Sequence, residues 1–410
     1  MSIIKKILGP IYEEYRHIVD TRSSKILFDI NGLSKIFANT IDDNKKIKIR
    51  ISHYSGATWN SLKSLVDELS NDDRCDVLII LSKDDEKMRK QAIEASVPYV
   101  FACDYDVSKD RPDALILSHA MDDTFTRDQR KHIRKVFVVS AALIHYFKDI
   151  DEYIRIAQIR YGDLEPDYYI YDKSMYSELS EIDVYGGKLV CMGNPKFDGI
   201  YEAVNSKEID KRAKKLIGKK TVLWATDHGV QYGKIAADFA FAEYASFIFS
   251  YFLEHNDMGL IFRPHSTFIE EMIRHGYWSQ KEIDELKNRF LRTDNIIWDE
   301  NDSYDMAYSM CDAIITDCHC GIICSALPTL KPIALLYKSP DIESINEELE
   351  SCQYPIYSTK ELEAFLIDVK EGKDLKRLLR EEINSKMICS FDGNNGKRIS
   401  EYIISECMKE

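Results

Sequence analysis

Short apolar runs alternate with amphipathic stretches along most of the chain. The runs Lys46–Ser52, Cys75–Ser82, Tyr99–Cys103, Ala114–Ser118, Val136–Ser140 and Lys188–Met192 have the length of strands covered on both faces. A second series follows at Thr221–Thr226, Gly259–Arg263, Asn295–Trp298, Ala313–Thr316 and Pro332–Tyr337. Helical spacing lies between them, as in Leu62, Leu65, Val66 and Leu69 after Trp59, in Ile235–Glu254 and in Tyr304–Met310. Two βα series of similar size predict an α/β protein with two Rossmann-like doubly wound domains and a cleft between them. Ligands of such sheets bind beyond the carboxyl ends of strands, so that is where chemistry is expected.

The junction is visible. Gly193-Asn194-Pro195-Lys196 follows the last strand of the first series, and a polar stretch runs from Ser206 to Lys220. That stretch holds Lys207, Lys211, Arg212, Lys214, Lys215, Lys219 and Lys220 against Glu208 and Asp210. The expected division is a helical extension over 1–45, a first domain over 46–195, a basic linker over 196–220 and a second domain over 221–388. A helix over 389–410 is expected to pack back on the first domain. Ile3, Ile4, Ile7, Leu8, Ile11, Tyr15 and Ile18 make a helical stripe in the extension. Its first expected use is packing on the protein or a partner chain, and its second is a peripheral contact with a membrane surface.

Composition narrows the picture. A chain of 410 residues exceeds what one core usually supports, which agrees with two domains. A net charge of −14 argues against nucleic acid as a partner. No apolar run approaches the roughly 20 residues of a membrane-spanning helix, and the N-terminus lacks the pattern of a secretory signal. The ten cysteines are therefore read as free thiols of a cytoplasmic protein. Cys318-His319-Cys320, with Cys311 and Cys324, lacks the spacing of a zinc site, so no metal is assigned.

Three strand ends carry candidate chemistry. The first is the tight turn Thr316-Asp317-Cys318-His319-Cys320-Gly321, where a strand runs into a helix. Free N–H groups and the positive dipole end of such a helix suit a phosphate, while Asp317 serves equally as a helix cap. The second is Arg263-Pro264-His265, which would offer a guanidinium fork to phosphate oxygens and an imidazole for proton transfer. The third is Thr226-Asp227-His228 after an apolar strand. In the first half, His119, followed by Asp122 and Asp123, is the preferred general base. His53, His145, Asp123 and Asp104 are the other candidates there.

From about Ile47 to Ser400 the chain resembles the CDP-glycerol glycerophosphotransferase family, which builds teichoic acids and related surface polymers. The resemblance is carried by the helix start at Trp59–Leu62, Gly193-Asn194-Pro195-Lys196-Phe197-Asp198, the Trp224–His228 strand end and Arg263-Pro264-His265. It continues with Asp305, Asp312-Ala313-Ile314-Ile315-Thr316-Asp317, Leu330-Lys331-Pro332 and Phe391-Asp392-Gly393 with Gly396-Lys397. It implies a glycosyltransferase-B fold, with a CDP-linked donor in the second domain and a glycan or lipid-linked glycan as acceptor.

Catalytic roles are expected for His119, His228 and His265. Donor contacts are expected from Thr226, Asp227, Arg263, Asp305, Thr316, Asp317, Cys318, His319, Cys320 and Gly321. No tightly bound cofactor is expected, and Mg2+ only weakly. The sequence departs from the family where Cys318-His319-Cys320 replaces hydroxyl side chains. Two alternatives stand beside the transferase: a sugar-nucleotide epimerase or hydrolase on the same fold, and a non-catalytic glycan-assembly subunit.

Overall fold

The structure is a computed structural model. It describes residues 46–56, 58–118, 122–140, 155, 164–180, 187–206, 211–231, 234–236, 238–265, 267–301, 304–318, 320–344 and 346–409. The expected N-terminal extension, His119, His145 and His319 lie outside the described residues.

Two parallel sheets form from the two apolar series. The first contains β1 (Ile47–His53), β2 (Cys75–Leu81), β3 (Tyr99–Phe101), β4 (Ala114–Leu117), β5 (Lys135–Val139), β6 (Tyr168–Tyr171) and β7 (Lys188–Cys191), in the order β3-β2-β1-β4-β5-β6-β7. The second contains β8 (Lys220–Ala225), β11 (Met258–Arg263), β12 (Ile296–Trp298), β13 (Ala313–Asp317), β14 (Ile333–Leu336) and β15 (Tyr354–Ile356), in the order β12-β11-β8-β13-β14-β15. A short hairpin, β9 (Val230–Gln231) and β10 (Lys234–Ile235), stands apart from both. In each large sheet the strand order reverses once, between β1 and β4 and between β8 and β13. Those two switch points are where an open α/β sheet offers a crevice.

Helices cover both faces. In the first sheet Ile49, Ile51, Val77 and Ile79 meet α1 (Lys63–Ser70) and α2 (Glu86–Glu94) through Leu65, Val66, Leu69 and Met88. Asp85 caps α2 by accepting from Met88 N at 3.1 Å. In the second sheet Trp224 is fully buried among Phe249, Phe262 and the residues of a long aromatic helix.

Two crossings join the sheets. Lys196–Asn205, expected as the start of a basic linker, is instead helix α3, whose Phe197 and Ile200 enter the core of the second domain. Farther along the expected linker, Lys215 Nζ donates to Phe290 O and Thr293 O, and Lys219 Nζ donates to Asp294 O. These lysines satisfy carbonyls near the ends of neighbouring elements. The remaining helices used below are α4 (Phe241–Glu254), α5 (Asp305–Met310), α6 (Ile322–Ala326) and α7 (Asn395–Met408). Helix α7 returns to the first sheet, where Ile399, Ile403, Ile404 and Cys407 share a core with Ile49 and Leu65.

The two glycine-containing motifs meet at this return. Asp198 of α3 is buried, and its Oδ1 accepts from Asn395 N at 2.9 Å and Asn395 Nδ2 at 2.8 Å. Its Oδ2 accepts from Gly396 N at 2.7 Å and from Ser64 Oγ of α1 at 2.8 Å. A Cβ at Gly396 would meet the Ser64 backbone at 2.6 Å, so only glycine allows this approach. Gly193 has φ +87 and packs on the Asn395 side chain, which also requires glycine. Among the described residues no helix is long and apolar enough to cross a membrane.

Replacing Asp198 with alanine would leave several buried donors unpaired. The expected loss is about 3 kcal/mol or more of unfolding free energy, with Asp198→Asn intermediate. Urea unfolding of both variants checks this.

Candidate functional site

The carboxyl ends of β8, β11 and β13 lie side by side around the switch point of the second sheet. Beyond β8 the chain leaves as Thr226-Asp227-His228 and beyond β11 as Pro264-His265. Thr226 is buried, its N donates to Arg263 O at 3.3 Å, and its Oγ1 accepts from His265 N at 3.3 Å. These bonds lash the two exits together. The His228 and His265 rings consequently stand 5.9 Å apart, edge to face.

The two imidazoles sit in different fields. Asp227 Oδ1 is 2.6 Å from His228 Nδ1 and also accepts from His228 N at 2.6 Å. That hydrogen bond holds the His228 pKa above the ordinary histidine value, against partial burial. His265 is shifted the other way, because burial lowers its pKa more than nearby Asp227 raises it. Its Nδ1 lies 2.9 Å from Thr267 Oγ1. One strand end thus favours an imidazolium and the next a neutral imidazole. Such a divergence marks acid–base pairs.

Asp317 holds this arrangement from behind. It was expected to cap the following helix or to bind ligand, but its carboxylate turns to its neighbours instead. Oδ2 accepts from Asp227 N at 2.8 Å, and Oδ1 accepts from Ala240 N, at the N-cap of α4, at 2.9 Å. Burial pushes its pKa up to about 7.

The turn after β13 also differs from expectation. Gly321 is the N-cap of α6, which spans only five residues. Cys318 and Cys320 point into the hydrophobic core, where burial raises both thiols, Cys320 to about 12. Their side chains belong to the packing, and in the turn itself Cys318 N donates to Leu336 O at 3.2 Å and Cys320 N to Asp317 O at 3.1 Å. Thr316 is fully buried beside Cys320. Asp305 opens α5.

Arg263 was expected to present a free fork. Its Nη1 donates to Asp299 Oδ2 at 2.7 Å and its Nη2 to Asn301 O at 2.6 Å, with the guanidinium 3.9 Å from the Tyr304 ring centre. It positions the loop after β12. Asp299 and Tyr304 escaped the sequence reading, although Asp299 directly follows a strand and that place alone marks it for attention. Among the described residues no cluster of three His, Cys, Asp or Glu side chains has the arrangement of a metal site.

No protein-family model matches the sequence, and no curated protein does. Among solved structures, the wall teichoic acid polymerase TagF matches at 11% identity and a TM-score of 0.57, covering 98% of this chain and 98% of its own. UDP-GlcNAc 2-epimerase from Neisseria meningitidis, bound to UDP-GlcNAc, matches at 11% identity and a TM-score of 0.60, over 87% of this chain and 100% of its own. A putative UDP-N-acetylglucosamine 2-epimerase from Listeria monocytogenes matches at 12% identity and 0.60, over 89% and 98%. At these identities the likeness concerns architecture. The chain has the glycosyltransferase-B fold, two doubly wound parallel-sheet domains in tandem.

The buried Asp317 predicts a pH effect on stability. Burial raises its folded-state pKa to about 7 from the usual 3.8. The protonated carboxyl therefore favours folding, and this contribution is complete only below about pH 4 and fades as pH climbs through 7. The stability advantage of the native chain over Asp317→Asn should shrink by about 1.4 kcal/mol between pH 6 and pH 8 in urea titrations. A constant difference would contradict this placement.

Proposed function

We propose that the protein is a transferase that takes a glycerol-phosphate or related alditol-phosphate group from a CDP-activated donor and passes it to a hydroxyl of a surface glycan or teichoic-acid-like acceptor. The observation that carries the reading is the His228–His265 pair beside Asp227, at the carboxyl ends of adjacent strands next to a topological switch point. The likeness in fold to a teichoic acid polymerase agrees with it.

In this reading the donor diphosphate lies across the exits of β8, β11 and β13. The His228 imidazolium, stabilised by Asp227, offsets charge on the departing nucleotide phosphate and supplies a proton to it. His265, neutral at pH 7, orients the transferring phosphoryl oxygens by hydrogen bonding. Arg263 acts at one remove, by holding Asp299 and the loop beyond β12. Charge neutralisation is assigned to these side chains, with Mg2+ only weakly associated through the donor.

A second reading has a specific support: UDP-GlcNAc 2-epimerases share the fold to a similar extent. It would make the chain a sugar-nucleotide epimerase or hydrolase, and consumption of UDP-GlcNAc with no acceptor present would favour it.

A thermal-shift series with CDP, CMP, CDP-glycerol, CDP-ribitol and UDP-GlcNAc tests the assignment. A cytidine ligand at a hundredfold excess over its Kd should stabilise the native chain by about 2.7 kcal/mol. His228→Gln should lower transfer by about 10²–10⁴-fold. No shift with any nucleotide would remove the basis for the reading.

A further inference from the structure

Seven of the ten cysteines are buried, and three are not: Cys103, Cys191 and Cys389. Cys103 follows β3 at one edge of the first sheet, and Cys191 ends β7 at the opposite edge. Cys389 lies on the return segment, between helix Arg377–Met387 and α7. The fold brings this segment to the end of β7. Cys191 is the register partner of Tyr171, and the residue after Tyr171, Asp172, accepts from Cys389 N at 2.8 Å. Farther along the two segments, a Cβ placed on Gly193 would stand 3.4 Å from Ser390 Oγ. The two stretches of backbone are therefore neighbours, and the Cys191 thiol hydrogen-bonds to the Cys389 sulfur.

The segment that carries Cys389 is also where the domains meet. Ile388 is buried in the core of the second domain, while Ser390 Oγ donates to Asn395 Oδ1 at the start of α7 at 2.8 Å. Beside Asp172, Lys173 Nζ donates to Ser385 O of helix Arg377–Met387 at 2.6 Å, in an exposed position. These ties are noncovalent. A bond between the two sulfurs would add a covalent one at the same junction. The ring it closes spans nearly half the chain, and a long ring removes much freedom from the unfolded state. The two thiols are unequal. Cys389 is exposed, so a dissolved oxidant reaches it first. Burial pushes the Cys191 pKa up to about 12, and the neighbouring Cys389 sulfur adds to that effect. Once Cys389 is in a mixed disulfide it carries no charge, and Cys191 ionises more readily.

We propose that Cys191 and Cys389 form a reversible dithiol–disulfide pair, oxidised by a low-molecular-weight disulfide, that fastens the return segment to the edge of the first sheet. The Cys389 thiolate attacks one sulfur of the oxidant, whose S–S bond breaks and releases a first thiolate. Cys191 then gives its proton to solvent and attacks the Cys389 sulfur, which releases the second. The two protein thiols lose two electrons and two protons, and the oxidant is reduced to two thiols. Because Cys389 stays within reach of solvent, excess thiol reopens the bond, as expected of a regulatory disulfide rather than a permanent one. The pair stands whether or not the transferase reading holds.

The test is to incubate the reduced native chain, Cys191→Ser and Cys389→Ser with oxidised glutathione, then to apply non-reducing peptide mass spectrometry and urea unfolding. Glutathione on the exposed Cys103 reports that the oxidant has reacted. In the native chain the expected product is a peptide pair joined through Cys191 and Cys389, with a raised urea midpoint that dithiothreitol reverses. Cys191→Ser should instead keep glutathione on Cys389, Cys389→Ser should leave Cys191 unmodified, and neither midpoint should rise. Glutathione retained on Cys389 of the native chain, with Cys191 still free, would mean that the sulfurs do not meet. An unmodified Cys389, or a joined pair that lowers the midpoint, would equally overturn the proposal.

Discussion

One buried carboxylate organises the whole arrangement. Asp198 stands on the first crossing between sheets and accepts from the start of the last helix and from α1 of the first domain. Three segments far apart in sequence therefore share one charge. Phe391 adds an apolar half to the contact, edge-on to Phe197 and Tyr201. Without this junction α7 would have no fixed start, and its apolar face could not complete the first core.

The candidate site shows the same economy. Asp317 pins Asp227 and the beginning of α4, Asp227 then grips His228, and Thr226 fastens His265 to the same exit. The histidines acquire opposite tendencies from one carboxylate because only one touches it. Arg263 and Asp299 form a buried pair over Tyr304 that sets the neighbouring loop. Breaking such a pair by removing one partner costs far more than the pair contributes, so its work is positional.

Much of this was legible in the sequence. The central strands of both sheets appear as apolar runs because their two faces are buried. The strand Tyr168–Tyr171 escaped because its aromatic, half-polar composition lacks that signature, and Tyr354–Ile356 because Pro355 weakens the pattern at a sheet edge. The crossing motifs were recognisable as motifs, yet their meaning lay in a contact nearly 200 residues long. At the site, residue types pointed to three strand ends of one sheet, and His228, His265 and Asp227 do converge there. Partners were invisible. Arg263 reads as a free cation until Asp299 is placed against it, and Cys318 and Cys320 read as donor contacts until the turn folds them into the core.

The most direct measurement is an NMR titration of the His228 and His265 ring protons, assigned with His228→Gln and His265→Gln. The account predicts that His228 titrates above pH 6.5 and His265 below it, and that CDP raises His228 further. Coincident or reversed titrations, or no response to CDP, would contradict it.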